Sequence, residues 1–148
     1  MYRKILVPFD SSSQALSAVQ HALKLAQVSK ATVTFFNAVQ DIPIFSDERT
    51  EHRIGINRDA IIHESRSKAL AMLDKLKGSF SEHGVKIDTA VAVGNPSREI
   101  CKKAKIEGYD VIVMGSRGLG KIPGLLMGSV SNRVCRNASC PVIVIHVN

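Results

Sequence analysis

The segment from residue 115 to residue 131 combines glycine, hydroxyl side chains and positive charge in a way that suits an anion. Glycine stands at positions 115, 118, 120, 124 and 128. Because glycine has no Cβ atom, the backbone N–H groups of such a segment can come close to a bound group. Ser129 opens a predicted helix, whose N-terminus favours phosphate, and Arg117 and Lys121 add positive charge. The segment therefore predicts a phosphate-binding loop; the alternative is a glycine-rich connection that Ser129 merely caps.

Two familiar phosphate-binding motifs do not match this segment. The spacing from Gly115 resembles a P-loop, but Ile122 occupies the position where Ser or Thr must hold the metal ion. A dinucleotide fingerprint that begins at Gly118 fails as well, because Gly124 comes one residue late and no strand directly precedes the glycines. A phosphate-binding loop here must be of another kind.

Short apolar runs alternate with amphipathic stretches along the chain. The runs predict strands over residues 4–8, 31–38, 85–93, 110–115 and 141–147. Apolar residues three and four apart predict helices from the serine cluster at 11–13 to about 28, over 58–82, from 96 to 108 and over 129–137. In the third helix the residues expected to face the core are Ile100, Cys101, Ala104 and Ile106. Residues 39–57 fit neither pattern and are predicted to form a long loop.

The alternation of strand and helix predicts an α/β fold. Such a chain forms a parallel sheet with helices on both faces, and right-handed crossovers make the sheet doubly wound. We expect five strands in the order 3-2-1-4-5, a Rossmann-like arrangement in a single domain over residues 1–148. Ligands of such sheets bind beyond the carboxyl ends of the strands, where the strand order reverses. The first strand ends there at Pro8, Phe9 and Asp10 and the fourth at Met114 and Gly115, so the glycine-rich segment begins where a ligand is expected.

Composition narrows the class of protein. Hydrophobic residues make up 45% and charged residues 22% of the 148, as in globular domains. No apolar run is long enough to span a membrane, and the short apolar start meets Asp10, unlike a signal peptide. We therefore expect a cytoplasmic protein without a membrane partner. Cys101, Cys135 and Cys140 lack metal or pairing spacing and are expected to be reduced and buried.

The net charge of +7 indicates an anionic ligand. After residue 111 the chain carries Arg117, Lys121, Arg133 and Arg136 but neither Asp nor Glu. Such an end could meet the phosphates of a nucleotide or of a nucleic acid. Aromatic residues amount to 5% with no Trp, so stacking surfaces for single strands are scarce. A nucleotide is therefore favoured over nucleic acid.

Four segments resemble those of the universal stress protein family, and the resemblance spans the whole chain. They are residues 5–10 (Ile-Leu-Val-Pro-Phe-Asp), 111–116 (Val-Ile-Val-Met-Gly-Ser), 128–131 (Gly-Ser-Val-Ser) and 140–142 (Cys-Pro-Val). The nucleotide-binding branch of that family has Gly, two residues, Gly, nine residues, Gly, and then Ser or Thr. Every interval is kept here by Gly115, Gly118, Gly128 and Ser129. The resemblance therefore implies a bound ATP, or ADP or AMP, with Mg²⁺ or Mn²⁺ held by the phosphates.

At the adenosine end of the ligand, the resemblance assigns roles to the carboxyl ends of three strands. Asp10 would accept hydrogen bonds from the ribose hydroxyls; its alternative role is a cap for the first helix. Ala38, with Val39 beside it, would meet adenine through its backbone, or would only pack in its strand. Met114 and Gly115 would line the pocket for adenine and ribose, and Pro8 and Phe9 at the end of the first strand are expected among the nucleotide-binding residues.

At the phosphate end, the resemblance assigns roles to the glycine-rich segment and the helix after it. The phosphates would be bound by Gly118, Gly128, Ser129, Val130 and Ser131. Arg117 would lie over the ribose or the phosphates, or be a solvated loop charge. Side chains with metal-ligand spacing are absent from the sequence, and so is a Ser-His-Asp or Cys-His arrangement, so we expect neither a protein-bound metal nor catalytic residues.

The resemblance implies an ATP-binding regulatory protein of the stress response. Nucleotide binding would order the loop between Gly115 and Gly128 and present a different surface to an unidentified protein partner. The family commonly forms a homodimer through its last strand, and the apolar run at 142–147 offers such an edge. Two alternatives stay open: a slow ATPase or phosphotransfer enzyme, and a dimeric interaction module without nucleotide.

Overall fold

The computed structural model describes residues 1–41, 57–119 and 127–147. Within them the strands are β1 (Lys4–Pro8), β2 (Thr32–Val39), β3 (Ile87–Val93), β4 (Val111–Gly115) and β5 (Val142–Ile145). The helices are α1 (Ser13–Ser29), α2 (Arg58–Ser79), α3 (Pro96–Ile106) and α4 (Ser129–Asn137), with a short 3-10 helix over Ser81–His83. Most of the predicted long loop, residues 42–56, and residues 120–126 of the glycine-rich segment lie outside the described residues.

β1 occupies the centre of a parallel sheet whose strand order is β3-β2-β1-β4-β5. Its residue Ile5 pairs with Val33 of β2 on one side and with Val111 of β4 on the other. The predicted order 3-2-1-4-5 and the doubly wound, Rossmann-like fold are therefore confirmed. The order reverses between β1 and β4, which places the expected ligand position at the carboxyl ends of these two strands.

Helices cover both faces of the sheet because alternate side chains of a strand point to opposite faces. Ile5 packs with buried residues of α1 and with Leu73 of α2 on one face. On the other face, Leu6 packs with Ile100 of α3 and Val134 of α4. A strand that is covered on both faces needs apolar residues at successive positions, and the Ile-Leu-Val run of β1 meets that need.

Two elements end earlier than the sequence pattern predicts. α2 ends at Ser79 rather than near residue 82, because the Phe80 N–H bonds to the Lys77 carbonyl three residues back and the chain tightens into the 3-10 helix. β5 ends at Ile145 rather than at residue 147. Its partner β4 ends at Gly115, and the last bond runs from the Ser116 N–H to the Ile145 carbonyl at 2.9 Å, so the chain has no neighbouring strand beyond that point.

Two residues that were predicted to be buried lie at the surface. Ile106 is 71% exposed, because the buried positions 100 and 104 of α3 are four apart and residue 106 falls on the opposite side of the helix. Cys135 is exposed on α4, whereas Cys101 and Cys140 are half-buried against the α3–α4 core. Burial raises the pKa of both of these thiols, which keeps them protonated and poorly reactive.

Across the described ranges, no helix is long and apolar enough to cross a membrane.

Candidate functional site

A cavity of about 400 Å³ opens at the carboxyl edge of the sheet, beside the N-terminal turns of α3 and α4. Its size falls within the range of small-molecule sites. Of the predicted site residues, those that line it are Pro8, Phe9, Asp10, Ala38, Met114, Gly115, Arg117, Gly118, Gly128, Ser129, Val130 and Ser131. Val39 does not line it, and its carbonyl oxygen already accepts a hydrogen bond from the Gly94 N–H at 2.8 Å.

Several lining residues were missed by the sequence analysis. They are Ser12, Ala15, Phe36, Asn37, Gln40, Pro96, Ile100 and Leu119. Asn37 and Gln40 lie close to Ala38 at the carboxyl end of β2. Ligands of such sheets bind beyond the carboxyl ends of the strands, and this rule would have found both residues if it had been applied to β2 as well as to β1. Pro96 and Ile100 belong to α3, and their spacing gave no sign that this helix reaches the same edge.

Asp10 lies in a tight turn between β1 and α1. Ser11 adopts the left-handed region with φ 68°, and the Asp10 Oδ1 accepts a hydrogen bond from the Ser12 N–H at 3.0 Å. The cap of α1 is Ser12, whose Oγ accepts from the Ala15 N–H at 3.1 Å. The alternative role of Asp10 as the helix cap is therefore wrong. No described residue bonds its Oδ2, which is available to a ligand in the cavity.

Gly118 lies directly against the Asp10 carboxylate. A Cβ atom at position 118 would stand 2.5 Å from the Asp10 Oδ2, which is too close for any real contact. Glycine at this position therefore lets the loop after β4 pass beside the end of β1 without displacing the carboxylate. The two residues are 108 positions apart in the sequence, and the topology of the sheet brings them together.

Gly115 is required by packing rather than by an anion. A Cβ atom at this position would lie 2.9 Å from the Cβ of Gln14 and 3.0 Å from its carbonyl carbon. The first turn of α1 therefore sits directly on the end of β4. This glycine therefore makes room for a helix of the protein itself, and it also lines the cavity as predicted.

Two hydrogen bonds tie the start of α4 to the end of β4. The Gly128 N–H donates to the Ser116 carbonyl at 2.6 Å, and the Ser131 Oγ donates to the Gly115 carbonyl at 2.7 Å. Since a hydroxyl has one hydrogen to donate, the Ser131 side chain is not available as a donor to phosphate, contrary to our expectation. Its backbone N–H remains a candidate.

The N-terminus of α4 lies at the cavity, and its first N–H groups have no partner within the part of the chain that the structure describes. Gly128 precedes the helix with φ −73° and ψ 166°, and no side chain caps the first turn. The first N–H groups of a helix have no partner within the helix, which leaves those of Ser129, Val130 and Ser131 for a ligand. The partial positive charge of a helix N-terminus favours an anion there. Gly128 itself has an extended backbone that other residues also adopt.

Among the described residues that line the cavity, the charged ones are Asp10 and Arg117. The Arg117 N–H donates to the Oε1 of Gln14 at 2.7 Å, which holds the backbone in place. Its Nε is buried, and no partner for it exists among the described residues, so this side chain is not simply a solvated loop charge. A carboxylate and a guanidinium thus lie at one cavity, next to a helix N-terminus. The described ranges contain no cluster of three or more metal-ligating side chains.

Comparison with known proteins agrees with this architecture. The sequence model of the universal stress protein family matches residues 1–146. Among curated relatives, Universal stress protein YxiE of Bacillus subtilis is 31% identical over 98% of this chain and 99% of its own length.

Solved structures show the same fold. Universal stress protein UspA from Lactobacillus plantarum superposes with a TM-score of 0.84 at 26% identity, covering 97% of both chains. A universal stress protein solved in complex with cAMP gives a TM-score of 0.73 at 25% identity over 99% of both chains. Because the family model spans nearly the whole sequence and the sheet order and connections are shared, this chain belongs to the universal stress protein family.

Proposed function

We propose that this protein is an ATP-binding regulator of the stress response that acts as a nucleotide-dependent switch. The main support is the cavity at the switch point, where Asp10, Arg117, Gly118 and the N-terminus of α4 converge. A carboxylate suits ribose hydroxyls, and a helix N-terminus with a nearby guanidinium suits phosphates. The cAMP complex of a structural neighbour supports an adenine nucleotide as the ligand class.

The adenosine end of the ligand fits the apolar side of the cavity. Phe36, Ala38, Ile100 and Met114 line it with apolar surface, which suits the flat faces of adenine. The Oδ2 of Asp10 would accept hydrogen bonds from the ribose hydroxyls, while Oδ1 keeps its bond to the Ser12 N–H. Ribose recognition would therefore leave the turn before α1 unchanged.

The phosphate end fits the N-terminus of α4. The unpaired N–H groups of Ser129, Val130 and Ser131, the Ser129 hydroxyl and the Arg117 guanidinium would share the negative charge. Among the described lining residues Asp10 is the sole carboxylate, and it is assigned to the ribose, so a Mg²⁺ or Mn²⁺ ion would be bound by the phosphates themselves. Apart from Asp10, none of the described lining residues is a carboxylate or histidine that could act as a general base, which favours a sensor over a fast ATPase.

Titration calorimetry of the purified protein with ATP, ADP, AMP and cAMP tests this proposal. We expect ATP to bind and phosphate release to be slow or absent. In a Gly128→Val variant we expect binding to be lost in a folded protein. The backbone at Gly128 accepts Val, and a Cβ would make ordinary contact at 3.4 Å with the Arg117 Cα. The Val side chain would stand against the backbone of residues 116–118, so it would narrow the approach to the proposed phosphate site.

A folded Gly128→Val protein that binds ATP with wild-type affinity would contradict the assigned phosphate site. Sustained phosphate release over many turnovers by the wild type would favour the slow-ATPase or phosphotransfer alternative. A wild type that binds no adenine nucleotide would favour a dimeric interaction module. Circular dichroism and thermal melting confirm the fold of each variant before titration.

We further propose a cytoplasmic homodimer of single-domain chains, each comprising residues 1–148, that pair along β5. The Ile112 N–H bonds to the Pro141 carbonyl and the Ser116 N–H to the Ile145 carbonyl, so residues 141 and 145 face β4. By the alternation of a strand, the backbone groups of Val142 and Val144 face outward. An outward, apolar edge can pair with its twofold mate in an isologous contact. Nucleotide binding would then change the surface between Gly115 and Gly128 that a protein partner recognises.

Val144→Pro is expected to shift the dimer towards monomer. Proline removes an outward N–H from each protomer but leaves the β4–β5 ladder intact, because that N–H does not face β4. The loss of two symmetric hydrogen bonds should weaken dimerisation by about 1–3 kcal/mol. Sedimentation velocity at micromolar concentration measures the change, and Val144→Ala, which keeps the donor, is the control. Dimers of equal strength in both variants would show that β5 is not the interface.

A further inference from the structure

Gln14 is a polar side chain that is fully buried in the first turn of α1, with 0% exposure. Its Oε1 accepts two hydrogen bonds, from the Ser116 Oγ at 2.8 Å and from the Arg117 N–H at 2.7 Å. Both partners follow β4 directly and lie more than 100 residues away in the sequence. One amide oxygen therefore joins the start of α1 to the loop that leaves the sheet.

The other end of the same amide is unsatisfied. The Gln14 Nε2 is buried and has no partner among the described residues. Leaving a buried donor unpaired costs free energy, so an apolar residue would serve better at this position if packing were its sole task. Glutamine, unlike an apolar side chain, provides an oxygen that accepts these two hydrogen bonds.

These bonds lie at the base of the proposed phosphate site. Arg117, held through its N–H, lines the cavity, and the Ser116 carbonyl accepts a hydrogen bond from the Gly128 N–H at 2.6 Å. A continuous path therefore runs from Gln14 through Ser116 to Gly128, the residue that precedes α4. A residue that fixes the backbone of Ser116 and Arg117 therefore also helps to fix the position of the Arg117 guanidinium and of the first N–H groups of α4.

We propose that Gln14 is a positioning residue that holds Arg117 and the N-terminus of α4 in the geometry that binds phosphate. This inference rests on the proposed nucleotide function. Gln14 is not among the residues that line the cavity, so its two hydrogen bonds act on the ligand through Ser116 and Arg117. It should therefore control the part of the affinity that comes from the phosphates and leave the part that comes from adenosine unchanged.

Titration calorimetry with ATP and with adenosine separates these two parts of the affinity. For Gln14→Leu, which has similar volume and no acceptor, we expect ATP affinity to fall about tenfold or more while adenosine affinity changes less than twofold. Gln20→Leu is the matched control, because Gln20 lies exposed on the same helix. It should change neither affinity.

Hydrogen exchange of the Arg117 amide gives a readout that does not depend on any ligand. Gln14→Leu should expose this amide to faster exchange. Gln14→Glu keeps an acceptor oxygen and should restore protection. Gln14→Met, which is unbranched, has similar volume and lacks an acceptor, serves as the second variant if Gln14→Leu fails to fold, with the same expected results.

The possible outcomes are distinct. Equal losses for ATP and adenosine in Gln14→Leu, or wild-type ATP affinity in a folded Gln14→Leu, would overturn the positioning role. An Arg117 amide that exchanges equally fast in wild type and Gln14→Leu would overturn it as well. A wild type that binds no adenine nucleotide would refute the proposed function and this inference with it.

Discussion

Asp10→Ala is expected to weaken ATP binding by about 1.5–3 kcal/mol, a loss of roughly ten- to a hundredfold in affinity. The reason is the loss of charge-assisted hydrogen bonds between the ribose hydroxyls and the Asp10 Oδ2, which no described residue occupies. The variant should also discriminate less between ATP and dATP, because the carboxylate would contact the ribose hydroxyls. Calorimetry with both nucleotides measures the two effects.

Asp110→Ala is the matched control for this prediction. The Asp110 carboxylate accepts hydrogen bonds from the Arg3 and Lys4 N–H groups at 2.7 and 2.9 Å, and these bonds lower its pKa. The Asp110 carboxylate is therefore charged at neutral pH, as a carboxylate that binds a nucleotide would be. It lies at the amino end of β4, away from the cavity. We expect a loss of stability without a loss of affinity. If Asp10→Ala keeps the wild-type preference for ATP over dATP, Asp10 is only a residue of the turn.

Gly115→Ala is expected to destabilise the fold by about 1–3 kcal/mol, as overpacking of a core does. The new methyl group would stand 2.9 Å from the Cβ of Gln14 and 3.0 Å from its carbonyl carbon, so α1 must move away from β4. The contact is with backbone and with the stem of a buried side chain, and neither can rotate away. Urea denaturation followed by circular dichroism measures the change in the free energy of unfolding.

The same substitution should have the opposite sign at Gly78. This glycine lies in α2 with nothing within 4 Å of its Cβ position, so alanine fits without contact. Gly78→Ala should stabilise the protein by about 0.5–1 kcal/mol, since glycine costs that much in a helix. A Gly115→Ala protein as stable as the wild type would mean that α1 does not lie against the end of β4.

The fold was predictable because the pattern that specifies it is local. The Ile-Leu-Val run of β1 and the Asn95-Pro96 start of α3 are read from a few neighbouring residues, and the structure has Asn95 as the cap of that helix. Where a helix or strand ends depends on neighbours instead. β5 ends at Ile145 because β4 supplies no further partner, a fact that no window of sequence around residue 145 contains.

The candidate site follows the same division. The spacing of Gly115, Gly118, Gly128 and Ser129 identified the glycine-rich segment as a candidate phosphate site, because such intervals can be counted in the sequence. The sequence did not show why glycine is needed at each of these positions. Gly115 makes room for Gln14 and Gly118 for Asp10, and each reason lies on a distant segment that the folded sheet brings near.

By itself, the sequence determined that the chain is an α/β protein and near which strand ends a ligand would bind, because apolar periodicity and glycine spacing act over short distances. The strand order was an expectation of the fold class, and the pairing of distant strands confirms it. Only the tertiary structure decided that Gln14 is buried. The polarity of a glutamine side chain favours the surface, but the first turn of α1 lies on the end of β4, so its amide has Ser116 and Arg117 for partners instead of water. Val39 does not line the cavity, whereas Ala38 and Gln40 on either side of it do, because successive residues of a strand point to opposite faces. Contacts of this kind depend on residues that are far apart in the chain and meet only when the sheet has formed.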